Sequence, residues 1–278
     1  MDIFIRNKRY TGPVQSLVLD WAGTAVDHGC LGPAAVFVDV FEERDVAVTI
    51  EQARRFMGLA KKDHIRGMCN IPEIATAWED AHGRRPDERD INALYDRTAT
   101  LMVETIASHS DPIDGVTDTI SEIRKMGIKI GSSTGYVKEM MDVLVPVARE
   151  KGYHPDAIVC SSDVPAGRPY PWMCLANAVM LETYPMEAMV KIGDTVADIE
   201  EGLNAGMWTV GITETGNEMG LTREEVAALD PADLDNRLTA IKHRFEETGV
   251  HYVLKRTADI LPVLDEINLR LKSGELPL

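Results

Sequence analysis

The stretch Val14-Gln-Ser-Leu-Val-Leu-Asp20-Trp-Ala-Gly-Thr24 decides how the chain is read. Its apolar run is short, ends in a carboxylate and is followed by a glycine turn, which is the build of a buried strand. The same build recurs at Ile128-Lys-Ile-Gly-Ser-Ser-Thr134, Ala157-Ile-Val-Cys-Ser161, Met189-Val-Lys-Ile-Gly-Asp194 and Met207-Trp-Thr-Val-Gly211. His251-Tyr-Val-Leu254 is a weaker sixth run. Segments of helical period lie between them, at 116–126, 137–151 and 171–181. This alternation predicts a Rossmann-like, doubly wound α/β core with a parallel sheet covered on both faces. Ligands of such sheets sit at the carboxyl ends of the strands. Here those ends carry Asp20, Thr134 and Asp194.

Between about Asp27 and His109 the alternation stops and the sequence reads as helices. The expected organisation is a core of residues 1–27 and 109–278, with an all-helical domain, 28–108, inserted after the first strand. Gly29 and Pro112 suit the two connections. Thr49-Ile-Glu-Gln52 and Thr222-Arg-Glu-Glu225 read as capping boxes. Arg54 to Met68 reads as one helix, on which Met57, Lys61, His64 and Met68 share a face. A closing helix is expected over 257–272. Trp21 and Trp172 are expected to serve packing.

The 278 residues carry 29 Lys+Arg against 45 Asp+Glu, a formal charge of −16. That balance argues against binding to nucleic acid or to an anionic membrane, both of which need a basic footprint. No run is apolar and long enough for a transmembrane helix, and the first ten residues lack the apolar core of a secretory signal. The expected location is cytoplasmic. The cysteines, at 30, 69, 160 and 174, are too scattered for a zinc knuckle and are expected as thiols.

Each chemical motif has a plain structural alternative. Asp20, before a tight glycine turn, suits a nucleophile or a cation ligand, though an Asp after a strand also caps turns. Thr134 and Gly135 suit a phosphoryl oxygen at a helix start, or a simple N-cap. Asp194 and Asp198 suit a hard divalent cation such as Mg²⁺. All recur in order at strand ends.

In that order, Asp20-Trp-Ala-Gly-Thr24, Thr134 and Gly193-Asp-Thr-Val-Ala-Asp198 resemble the haloacid dehalogenase superfamily. The resemblance implies an aspartyl-phosphate on Asp20, Mg²⁺ as cofactor and a mobile cap. One departure is informative. The general acid that superfamily phosphatases carry two residues after the nucleophile is replaced by Ala22. The Met57-Gly58…Lys61…His64 segment, Gly131-Ser-Ser-Thr-Gly-Tyr136 and Asp163-Val-Pro-Ala-Gly-Arg-Pro-Tyr-Pro-Trp172 narrow the resemblance to the phosphonoacetaldehyde hydrolases (phosphonatases). Ala25, where a Thr is expected, and the arm at 1–13 depart from the pattern.

This resemblance implies hydrolysis of a carbon–phosphorus bond through a Schiff base on Lys61, following transamination of 2-aminoethylphosphonate. It implies Mg²⁺ on Asp20, the Ala22 carbonyl, Asp194 and, through water, Asp198. Thr134, Gly135, Tyr136, Arg168, Ala22 and Met57 would line the substrate site. His64 would orient a water, relay protons or serve structure, Cys30 would stand behind the residues that touch substrate, and a homodimer through the cap is expected. The alternatives are a Mg²⁺-dependent phosphatase for another phosphorylated carbonyl compound and a catalytically silent binding protein.

Overall fold

The computed structural model describes residues 9–277. The first eight residues of the N-terminal arm therefore lie outside the description. Six parallel strands form one sheet: β1 (Ser16–Leu19), β2 (Lys129–Thr134), β3 (Ala157–Cys160), β4 (Met189–Gly193), β5 (Trp208–Ile212) and β6 (Tyr252–Leu254). Their order is β3-β2-β1-β4-β5-β6. The strands fall within a residue or two of the expected runs. β1 is wholly buried because β2 and β4 pair with its two edges and helices cover its faces, which is why its sequence is almost uninterrupted in apolar residues. The order reverses at β1, so the crevice beyond the carboxyl ends of β1, β2 and β4 is the expected ligand position.

Helices α1 (Leu31–Glu42), α2 (Ile50–Arg54), α3 (Lys61–Cys69), α4 (Pro72–His82) and α5 (Glu88–Thr105) fill the segment after β1. Helices α6 (Val116–Lys125), α7 (Lys138–Glu150), α8 (Trp172–Met180), α9 (Val196–Asn204), α10 (Arg223–Ala228), α11 (Pro231–Glu246) and α12 (Leu261–Lys272) complete the chain. Both expected capping boxes are present, at Thr49/Gln52 and Thr222/Glu225. One apolar cluster runs from Leu17 and Ile130 of the sheet through Met140 and Leu144 of α7 to Phe37, Ile65, Trp78 and Leu94 of the helical insert.

Two expectations change. Arg54–Met68 is not one helix: α2 stops at Arg54 and α3 starts at Lys61. Gly58 lies between them at φ +91°, a left-handed value that only glycine adopts without strain. A side chain there would also collide with Thr195. Trp172 is 41% exposed, beside exposed Tyr170, so it is not a core residue. Trp21 is buried as expected, donates to Ser132 Oγ at 2.9 Å and meets Tyr153 edge-on.

The two connections to the helical insert are tied together. Asp27 accepts the amides of Leu31 and Gly32 at the start of α1, each at 3.3 Å. It also meets His109 Nδ1 at 3.2 Å, on the returning connection. Val26 pairs with Pro112 in an isolated bridge.

Candidate active site

Asp20 follows β1 directly and is 7% exposed. Its backbone amide donates to Ile192 O at 3.0 Å, which fastens it to β4. One carboxylate oxygen accepts from Arg168 Nη2 at 2.7 Å. Burial raises the Asp20 carboxyl above its usual range, with Asp198 adding to the rise; Arg168 and Lys191 act against it.

Asp194 and Asp198 flank the turn from β4 into α9. Thr195 is the N-cap of α9 and accepts the Asp198 amide. Asp20, Asp194 and Asp198 each offer an oxygen within 4.8 Å of one another. Asp194 is held by Thr24 Oγ1 at 2.8 Å and by the Asn217 amide at 2.8 Å. Side chains at Gly23 or Gly216 would collide with the Asp194 side chain, so glycines shape this cradle. Burial pushes the Asp194 carboxyl well above the usual range, and Asp20 and Asp198 push the same way. Three buried carboxylates of this kind are hard oxygen donors and suit Mg²⁺.

Asp198 is differently placed. Its Oδ1 meets Lys191 Nζ at 2.6 Å and Arg168 Nη2 at 3.0 Å, and its Oδ2 accepts from Thr195 Oγ1 at 2.6 Å. Burial opposes its ionisation, but Arg168 and Lys191 more than offset this and leave the carboxyl below its usual range. Both oxygens are engaged, which favours action through water over direct ligation.

Arg168 is 4% exposed, precedes a cis proline bond and sits at the centre of the site. Its Nε donates to Glu201 at 2.9 Å, and its Nη2 also donates to Ser133 O at 2.7 Å. Nη1 makes one long contact, 3.4 Å to Gly58 O. Nη1 is therefore its least committed nitrogen.

Lys61 is the first residue of α3 and is 4% exposed. Its ammonium lies 4.8 Å from the Tyr136 ring and 5.6 Å from the Phe37 ring. Burial lowers its pKa to about 8; Arg168 acts in the same direction, while Cys30 and Asp20 oppose it. A helix N-terminus disfavours a cation as well. Lys61, Asp20, Ala22, Cys30, Met57, Thr134, Gly135, Tyr136 and Arg168 line one small cavity, joined by Pro33 and Gly58. Thr134 ends β2, and its hydroxyl accepts the Tyr136 amide at 3.1 Å. α7 starts only at Lys138, so Thr134 and Gly135 precede the helix by a short turn instead of opening it. A side chain at Gly135 would strike Leu59 O, so glycine there lets the insert approach. Burial also holds the Cys30 thiol and the Tyr136 phenol well above their usual values.

His64 does not line the cavity. It is fully buried, stacks on Phe37 with 3.8 Å between centroids, and its Nε2 lies 2.7 Å from Ala53 O. Nε2 is the only one of these two atoms that can donate, so it carries the proton, and Nδ1 is buried without a partner among the described residues. Burial and nearby Lys61 push it well below the usual histidine value. This geometry fastens α3 to α2.

Sequence reasoning did not single out Lys191, Glu201, Ser133, Thr24 or Asn217. Two signals were available. Lys191 interrupts the apolar run of β4, and Glu201 lies three residues after Asp198 on α9, so the two share a helix face.

With this geometry in view, comparison with known proteins places the chain. The family model for haloacid dehalogenase-like hydrolase matches residues 31–212. A phosphonoacetaldehyde hydrolase-like protein from Syntrophobacter fumaroxidans is 55% identical over the full length of both chains. A phosphonoacetaldehyde hydrolase from the same organism is 50% identical, again over both full lengths. The one from Nitratidesulfovibrio vulgaris is 49% identical, covering 100% of this chain and 99% of its own. A solved phosphonoacetaldehyde hydrolase like protein from Oleispira antarctica superposes with a TM-score of 0.96 at 39% identity, covering 99% of this chain and 100% of its own. The chain belongs to the haloacid dehalogenase-like hydrolases and, within them, to the phosphonoacetaldehyde hydrolase family.

Proposed function

We propose that this enzyme cleaves the carbon–phosphorus bond of phosphonoacetaldehyde to give acetaldehyde and phosphate, with Lys61 and Asp20 as the two covalent catalysts. The observation that carries the reading is that a buried amine and a buried carboxylate face one cavity, with Ala22 where a phosphatase needs its acid. Named relatives at 49–50% identity over the full chain support the substrate.

Lys61 in its neutral form condenses with the aldehyde and releases water. The protonated imine then accepts the electron pair of the carbon–phosphorus bond, so carbon leaves as an enamine. Asp20 forms the new bond to phosphorus. No oxygen needs a proton at this step, which is why Ala22 suffices. The enamine takes a proton at carbon, and hydrolysis of the imine frees acetaldehyde and Lys61. Water cleaves the aspartyl-phosphate. Arg168, through Nη1, and Thr134 hold phosphonyl oxygens. Asp20, the Ala22 carbonyl and Asp194 would hold Mg²⁺, with Asp198 reaching it through water; when bound, it offsets charge between two anions. Tyr136 and Met57 keep the Lys61 surroundings apolar.

In this reading the helical insert, 28–108, is a cap that opens for substrate. The protein is a cytoplasmic homodimer joined through that cap, with no nucleic-acid or membrane partner. The test is release of acetaldehyde and phosphate from phosphonoacetaldehyde, with Mg²⁺ and with chelator. Equal, Mg²⁺-dependent release of both products is expected. Phosphate release from phosphate monoesters without carbon–phosphorus cleavage would replace this reading with the phosphatase one.

A further inference from the structure

Two buried charged residues, Lys191 and Glu201, belong to the site's charge cluster but are not used directly by the proposed chemistry. Lys191, in the middle of β4, and Glu201, in α9, are 1% and 0% exposed. Lys191 Nζ reaches Asp198 Oδ1 at 2.6 Å and Glu201 Oε2 at 3.5 Å. The same Glu201 oxygen accepts from Arg168 Nε at 2.9 Å and from Ser133 Oγ at 2.9 Å. Glu201 Oε1 has no partner among the described residues. Burial and Arg168 work against the Lys191 ammonium, but Asp198, Glu201 and Asp20 more than offset them.

The cluster thus holds four carboxylates, Asp20, Asp194, Asp198 and Glu201, against two cations, Arg168 and Lys191. With all groups ionised, two negative charges remain, the complement of one divalent cation. Glu201 is not among the carboxylates that offer oxygens within 4.8 Å of one another, and the Lys191 ammonium has no lone pair to offer a cation. The charges of Lys191 and Glu201 still act on that carboxylate set, because interior charges are weakly screened.

We propose that Lys191 and Glu201 are positioning residues that set the charge and affinity of the cation cradle. Lys191 occupies Asp198 Oδ1 and so keeps Asp198 out of direct ligation. Glu201 holds Arg168 by Nε, so that its Nη2 stays on Asp20. The two residues pull cation affinity in opposite directions. This rests on the Mg²⁺ reading given above.

The experiment is calorimetric titration of Mg²⁺ into the metal-free full chain, without substrate, for wild type, Lys191→Met, Glu201→Gln and the double variant. Wild type is expected to bind one ion. Lys191→Met is expected to bind it more tightly, by at least ~tenfold, because even water-like screening leaves about that factor for a unit charge a few ångströms from a divalent ion. Glu201→Gln is expected to bind it more weakly by a similar factor. The double variant removes one positive and one negative charge, so the net charge of the cluster is that of wild type and affinity is expected to return to near the wild-type value. A merely structural pair would weaken binding in both single variants, or change neither, and either result overturns the proposal. If a single variant fails to fold by circular dichroism, the double variant decides: wild-type-like affinity supports the proposal and a large loss overturns it. Absence of Mg²⁺ binding in wild type would overturn the metal reading itself, and this inference with it.

Discussion

Lys61 combines three influences on one amine: burial, aromatic neighbours and a place at a helix start. Its pKa is lowered to about 8, so a useful fraction is neutral near physiological pH. In the proposed mechanism the neutral form is the nucleophile, so activity is expected to rise with pH and level off above about 8. A pH profile of kcat/KM flat from 6 to 9 would contradict this. Lys61→Arg keeps the charge but cannot form an imine, and carbon–phosphorus cleavage is expected to fall by at least ~10³-fold. Lys62→Arg is expected to stay within a few-fold of wild type. Borohydride with substrate should inactivate wild type covalently and leave Lys61→Arg unlabelled. Equal losses in both variants would remove Lys61 from the role. The importance of Lys61 was legible in the sequence only next to Ala22, because a lysine alone on a helix reads as solvated surface. The surroundings of Asp198 were only hinted at, because the one polar residue in the β4 run, Lys191, does not show by itself which groups it meets.

The break between α2 and α3 shows what periodicity can and cannot reveal. Met57, Lys61, His64 and Met68, which the spacing put on one face, are all buried, but only Met57 and Lys61 line the cavity, and the chain makes a turn where the spacing suggested continuous helix. The signal was Gly58, whose reason lies in a distant contact, Thr195, that no local pattern records. Gly58→Ala would meet both the left-handed backbone value and that collision. It is expected to cost ~1–3 kcal/mol of stability from the backbone alone. Activity should fall further than stability, because Gly58 O touches Arg168. A urea midpoint and a kcat measurement on the same sample check this. A Gly58→Ala variant with full activity would separate the turn from catalysis.

The Asp27–His109 contact belongs to the same scale, since it ties the two connections of the insert. Hydrogen bonding to Asp27 raises the His109 pKa above 6.5, against a smaller opposing effect of burial. A raised histidine contributes stability that is fully present below its unfolded value and is lost as pH rises through the folded one. The stability difference between wild type and His109→Gln should therefore be largest below pH 6.5 and shrink at higher pH. A difference that grows with pH would contradict the assignment.

At the scale of the whole molecule, the proposed Mg²⁺ site would couple metal to stability. A ligand that binds only the folded chain stabilises it by ~2.7 kcal/mol at a hundredfold excess over its Kd. For a chain of this size that corresponds to roughly 5 °C in Tm. Added Mg²⁺ is expected to produce such a rise, and Asp194→Asn to abolish it, as read by scanning calorimetry. An unchanged melting temperature with Mg²⁺ present would contradict the cradle assignment. The sheet was readable from the alternation of runs, because parallel strands covered on both faces have little room for polar residues. The charge network was less readable, since it depends on side chains converging from segments remote in sequence.

The position of β1 has a consequence for how the molecule comes into being. This strand is made early, but its two edge partners begin only at Lys129 and Met189. Until both have left the ribosome, Asp20 has no metal cradle and no Arg168 beside it, while α1 to α5 can already assemble from near neighbours. Pairing across such separations is slow, and the unpaired edges are open to wrong contacts in the meantime. The chain therefore completes its candidate site late in synthesis, and a product truncated before β4 would carry Asp20, the proposed nucleophile, without its neighbours.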